Sequence, residues 1–69
     1  MTFGERLKHK RERKELSQCE VAKKLGTSNE KVFRWEHDMV LPSLINLISL
    51  ADVFQCSLDE LVGRNCERL

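Results

Sequence analysis

Apolar residues recur at three- and four-residue intervals along most of the chain, with Ser, Thr, Gly or Pro at the breaks, a rhythm that predicts short amphipathic helices. Side chains mark their starts. Thr2 with Glu5, Ser17 with Glu20, and Ser57 with Glu60 each set a hydroxyl three residues before a glutamate, so that two orphan N–H groups are satisfied reciprocally. Ser28 and Ser43 are caps without the glutamate, and Pro42 disfavours helix in the residue before it. Five helices are expected, over about residues 2–14, 17–24, 28–37, 43–54 and 58–63. The helical period turns Phe3 and Leu7 inward, then Val21, Ala22 and Leu25, then Val32 and Trp35. On the last two helices it selects Leu44, Leu47, Ile48, Ala51 and Phe54, and Leu58, Leu61 and Val62. One shared core is implied, with Leu16 and Cys56 plugging gaps at helix connections. The class is all-α, with one domain over residues 1–64 and a short flexible tail at 65–69.

The segment SQCEVAKKLGTSNEKVFRWEHD, from Ser17 to Asp38, places two short helices either side of LGTS. A tight bend there needs Gly26, which tolerates positive φ, and Ala22 is small enough for the two helices to approach closely. This is helix-turn-helix geometry. In such a unit the second helix enters the major groove N-terminal end first, while the first crosses the backbone and aims its amides at a phosphate.

Composition and charge narrow the alternatives. A chain of 69 residues holds one small domain, which buries only about 60% of its unfolded surface and leaves little room for a large active-site cavity. No apolar stretch is long enough to span a membrane, and MTFGERLKHKRERK lacks the apolar core of a signal peptide, so a cytoplasmic location is expected. Cys19, Cys56 and Cys66 are odd in number and widely spaced, which fits reduced thiols rather than a disulfide framework or a zinc site. The formal net charge is only +1, but it is unevenly distributed. Residues 1–34 hold ten Lys/Arg against five Glu, a net +5, whereas residues 35–69 hold two Arg against six acids, a net −4. A surface built by the first half would attract a polyanion. No Ser/His/Asp set, pair of catalytic acids, phosphate loop or metal cluster stands out, so neither catalytic residues nor a cofactor is expected.

FGERLKHKR, LSQ-x-x-VA-x-x-LG-x-S, V-x-RWE, PSL-x-x-L-x-x-LA and SLDEL, taken together over residues 3 to 63, resemble the phage-repressor and Cro-like helix-turn-helix family, also called the xenobiotic response element family. The resemblance implies a compact five-helix bundle of the lambda-repressor-like DNA-binding type. It implies a transcriptional regulator, a repressor by preference, which binds a roughly palindromic double-stranded operator as a homodimer. Carried over by position, Asn29, Glu30 and Arg34 face base edges. Arg34 suits guanine, Asn29 suits adenine, and Glu30 can only accept, from a cytosine amino group; Glu30 reads equally well as an acid favoured by the helix dipole. Phosphate contacts fall to Arg11, Gln18, Thr27, Ser28, Lys31 and His37. Arg11 and Glu36 match the family's internal ion pair, which orients Arg11 towards the backbone; if exposed, that pair would add almost nothing to stability. Trp35 reads as core rather than as a base-stacking residue. For His37 a metal or pH role lacks a second ligand at suitable spacing on its helix.

Glu15, Asp38 and Gln55 stand where the family commonly has Gly at helix ends, and Lys10 where an apolar residue is usual, which predicts modest stability. Met39, Val40 and Leu41 form an apolar run where the family often carries basic residues. With Phe33 and Ile45 they are either a dimer contact or local packing. A protein-interaction module, antitoxin-like or coactivator-like, is the competing function for such a fold.

Overall fold

The chain closes on itself through hydroxyl-capped helices joined by short turns. The computed structural model describes residues 2–63, so the tail expected at 65–69 lies outside the described residues. The helices are α1 (Phe3–Arg13), α2 (Gln18–Leu25), α3 (Asn29–Glu36), α4 (Leu44–Phe54) and α5 (Leu58–Val62), and no strand occurs among the described residues. All five caps are the hydroxyls expected: Thr2, Ser17, Ser28, Ser43 and Ser57 each accept from a backbone N–H of the first turn. The three reciprocal boxes form at Thr2, Ser17 and Ser57.

Helix ends require left-handed backbone. Gly26 ends α2 at φ 73°, and the following Thr27 N–H reaches back to the Ala22 carbonyl at 2.9 Å, which turns the chain sharply into α3. Glu15, Asp38 and Gln55 adopt φ of 58°, 58° and 54°, the conformation a glycine would take at least cost.

Packing runs α2 on α3, α1 on α3 and α5, and α4 on α2 and α5. The core comprises Leu7, Val21, Ala22, Val32, Trp35, Leu50, Ala51, Phe54 and Leu61, with Phe3, Leu16, Leu25, Leu47, Val53 and Cys56 packed against it. Trp35 is thus a core residue, and Leu16 and Cys56 fill the helix connections as expected. Burial also holds the Cys56 thiol above its usual pKa, so it stays protonated. The expected face of α4 needs correction: Leu50 is fully buried, while Leu44 and Ile48 are exposed. Along α5 only Leu61 is buried, and Leu58 and Val62 lie partly in solvent. Gly4 was not anticipated as a packing residue. A β-carbon there would collide with the Glu36 carbonyl oxygen, so its absence lets α1 lie directly on the end of α3.

Candidate nucleic-acid interface

Helix α3 buries one stripe and presents the other. Val32, Trp35 and Glu36 are buried, whereas Asn29, Glu30, Lys31, Phe33 and Arg34 are exposed. The outer ridge therefore carries the three residues expected to face base edges, together with Lys31. Ser28 caps this ridge by accepting from the Lys31 N–H at 3.3 Å, and Thr27 precedes it half-buried. Two contacts on the ridge follow helical i,i+4 spacing. Arg34 Nη2 donates to Glu30 Oε2 at 2.9 Å, with both side chains largely in solvent. The Phe33 and His37 rings lie 4.1 Å apart, centroid to centroid, with their planes tilted by 37°. Neither pairing was anticipated, although the four-residue spacing of Glu30 with Arg34 and of Phe33 with His37 is the signal that permits them.

Behind the ridge, the Glu36 carboxylate gathers three donors from two other elements. Arg11 Nε donates to Oε2 at 2.6 Å and Nη2 to Oε1 at 3.2 Å, while Gln18 Nε2 donates to Oε1 at 3.0 Å. Arg11 Nη1 donates further to the Leu16 carbonyl at 2.8 Å, so the guanidinium also ties down the connection between α1 and α2. The Arg11 guanidinium and the Gln18 amide together satisfy the buried acid, and among the described residues no buried side-chain polar atom is left unpaired. The side chains are 13% and 2% exposed, so the condition under which the pair would be energetically idle does not hold. Breaking a buried pair leaves an uncompensated charge at a cost of about 3–5 kcal/mol. Gln18, expected on a phosphate, is thereby fixed at the start of α2 by the last residue of α3. Sequence spacing gave no sign of that contact.

Asp38 forms a second link of this kind. Its Oδ2 accepts from the Thr2 hydroxyl at 2.7 Å and its Oδ1 from the Gly4 N–H at 2.9 Å. These bonds cap the start of α1 from a distant part of the chain and hold the Asp38 carboxyl below its usual range, the Thr2 hydroxyl contributing most. Ser17 acts likewise on Glu20, chiefly through its backbone N–H. The site residues thus fall into an outer ridge (Asn29, Glu30, Lys31, Arg34), a flank at the turn (Thr27, Ser28), an aromatic pair at the end of α3 (Phe33, His37) and a buried clamp (Arg11, Gln18, Glu36).

Among the described residues no group of three or more His, Cys, Asp or Glu could hold a metal ion. No described helix is long and apolar enough to cross a membrane.

Comparison with known proteins agrees with this geometry. Repressor protein C2 of Salmonella phage P22 is 34% identical over 60 residues, covering 87% of this chain and 28% of that protein. The cryptic phage CTXphi transcriptional repressor RstR of Vibrio cholerae is 34% identical over 64 residues, covering 93% and 57%. The regulator ImmR of Bacillus subtilis is 32% identical over 65 residues, covering 94% and 51%. The chain thus spans 28%, 57% and 51% of these relatives' lengths. Among solved structures, the P22 c2 repressor in complex with a synthetic operator superposes with a TM-score of 0.88 at 31% identity, covering 94% of this chain and 98% of that one. The DNA-binding domain of the same repressor in solution gives 0.84 at 33% identity, covering 88% and 80%. With five helices, a buried clamp behind an exposed second motif helix, and a helix-turn-helix family model matching residues 7–61, the chain belongs to the helix-turn-helix family of phage repressors and transcriptional regulators.

Proposed function

We propose that this protein is a sequence-specific double-stranded DNA-binding regulator, a repressor by kinship, that lays α3 in the major groove and acts in the cytoplasm without catalysis. The observation that carries this reading is the division of α3, whose Val32 and Trp35 anchor the core while Asn29, Glu30 and Arg34 project together from the opposite face. Such a ridge places hydrogen-bonding side chains where base edges display their donor and acceptor code. Around it, Arg11, Gln18, Thr27, Ser28, Lys31 and His37 contact phosphates, fixing register rather than sequence preference. The clamp on Glu36 supports this division, since it sets Arg11 and Gln18 in place before DNA arrives and reduces the ordering cost of binding.

The regulator works as a homodimer on a roughly palindromic operator, with recognition helices about 34 Å apart. Support comes from the exposed apolar residues Met39, Val40, Leu41, Leu44, Ile45 and Ile48, which no charged residue interrupts from Met39 to Ala51. Beside them, an apolar groove of about 280 Å³ is lined by Phe3, Leu41, Pro42, Leu47 and Val62.

Selection of bound sites from a random duplex library tests both parts. The expected product is a palindrome whose binding weakens steeply with salt. Indifference to every duplex at low salt overturns the reading in favour of a protein-interaction module.

A further inference from the structure

We infer that Glu30 and Arg34 read one G·C base pair as a joined donor–acceptor unit, Arg34 donating to the guanine and Glu30 accepting from the amino group of its paired cytosine. The inference rests on the DNA-binding reading and specifies what the ridge recognises.

A bare carboxylate on a recognition helix is an unpromising group. It can only accept, it is repelled by phosphates, and desolvation in the groove is costly unless it is paired. Glu30 is not bare, because Arg34 Nη2 donates to its Oε2 at 2.9 Å. Nη2 carries one hydrogen on each of the guanidinium's two donor edges. A single bond to Glu30 therefore occupies one edge and leaves the other free to engage two acceptors. Among the described residues Glu30 Oε1 has no donor of its own, so the acid retains accepting capacity beside the free fork.

The joined pair thus presents two donors followed by an acceptor. In the major groove a G·C pair presents the complement in order: guanine N7 and O6 accept, and cytosine N4 donates. An A·T pair fails at the second place, where adenine N6 would set a donor against the guanidinium. Turning the pair over to C·G sets the cytosine amino group against arginine and the guanine acceptors against the carboxylate. Both side chains are solvent-exposed in the free protein, so their contact adds little to stability. It becomes important when the groove excludes water.

The test uses the selected operator with the wild-type chain, Glu30→Ala, Arg34→Ala and the double variant. Both sites lie outside the core, and unfolding midpoints establish that each variant is folded. Wild type should require G·C in one orientation at one position of each half-site. Each single substitution should weaken binding by about tenfold or more, and the double by little beyond either single. Replacing the cytosine at that position by a pyrimidine lacking the 4-amino group should weaken wild type by a similar factor and leave Glu30→Ala unchanged. Additive losses, an equal effect of the missing amino group on both proteins, or tighter binding by Glu30→Ala would each overturn the joint reading while leaving the regulator assignment in place. Failure of wild type to retain any duplex strikes the assignment itself.

Discussion

At three helix ends a residue with a β-carbon occupies left-handed backbone, yet the three are not equivalent. Glu15 is exposed and makes no side-chain hydrogen bond among those found in the described residues, so its conformation is pure cost. Gln55 recovers only an exposed contact, accepting from Lys14 Nζ at 3.1 Å. Asp38 is different, because its carboxylate ties Thr2 and Gly4 to the end of α3. Left-handed backbone costs a residue with a β-carbon roughly 1–2 kcal/mol, against roughly 0.5–1 kcal/mol for the extra unfolded-state freedom of glycine, so Glu15→Gly and Gln55→Gly should each stabilise by about 0.5–1 kcal/mol. For a domain of this size that raises the thermal midpoint by several degrees in calorimetry. Asp38→Gly gains the same relief but loses both bonds, and should fall below the other two. The contrast has a pH signature. Asp38 has a folded pKa below the usual 3.8, so its ionised contribution is complete above that value and disappears as pH falls through the lower folded one. Asp38→Asn should therefore flatten the acid limb of stability against pH. An acid limb unchanged in Asp38→Asn would mean the cap carries no weight. The sequence exposed the odd residue at position 38 but not its use, because its partners lie 34 and 36 positions away.

At the scale of elements, starts and ends were legible because they are local: a hydroxyl, a glutamate three residues on, or a left-handed turn leaves its mark within a few positions. Faces were legible where polarity alternates, as on α3, whose charged and apolar residues separate Asn29 and Arg34 from Val32 and Trp35. Helix α4 offered no such contrast. LINLISLADVF is apolar almost all round, and two stripes satisfy the same period: one through Leu44, Leu47, Ile48 and Ala51, the other through Leu47, Leu50, Ala51 and Phe54. The second faces the core. The Glu36 clamp was half legible, since the Arg11 pairing accompanied the family resemblance, but the Gln18 bond exists only because the fold brings the start of α2 to the end of α3. Leu50 and Ile48 separate the two stripes experimentally. Leu50→Ala should lose about 2–5 kcal/mol through lost burial and a residual cavity, whereas Ile48→Ala should stay within about 1 kcal/mol for the isolated domain. Denaturant unfolding with unchanged m-values measures both. A larger loss for Ile48→Ala than for Leu50→Ala would place α4 in the other rotation about its axis.

Across the whole molecule the charge separation along the chain becomes a division of labour: the basic first half supplies α1, α2 and most of α3, and the stretch from Met39 to Ala51, which carries no charge, supplies the exposed apolar face. A twofold interface brings the same patch of each copy together, and a patch centred on the uncharged residues Met39 to Ile48 meets itself without repulsion there. Ile45 is the most exposed large apolar residue of that face, at 76%, and makes no part of the core, so Ile45→Asp should leave the fold and its unfolding midpoint intact. In the proposed dimer the substitution sets two like charges into a desolvated contact, a cost of several kcal/mol that should weaken self-association by roughly 100-fold or more. Sedimentation across a concentration series reads this directly. DNA supplies a second reading, because a duplex bearing one half-site should bind both proteins equally, while the palindrome should lose its advantage only for the variant. If Ile45→Asp sediments and binds the palindrome as wild type does, the twofold contact lies elsewhere and the apolar face serves another partner.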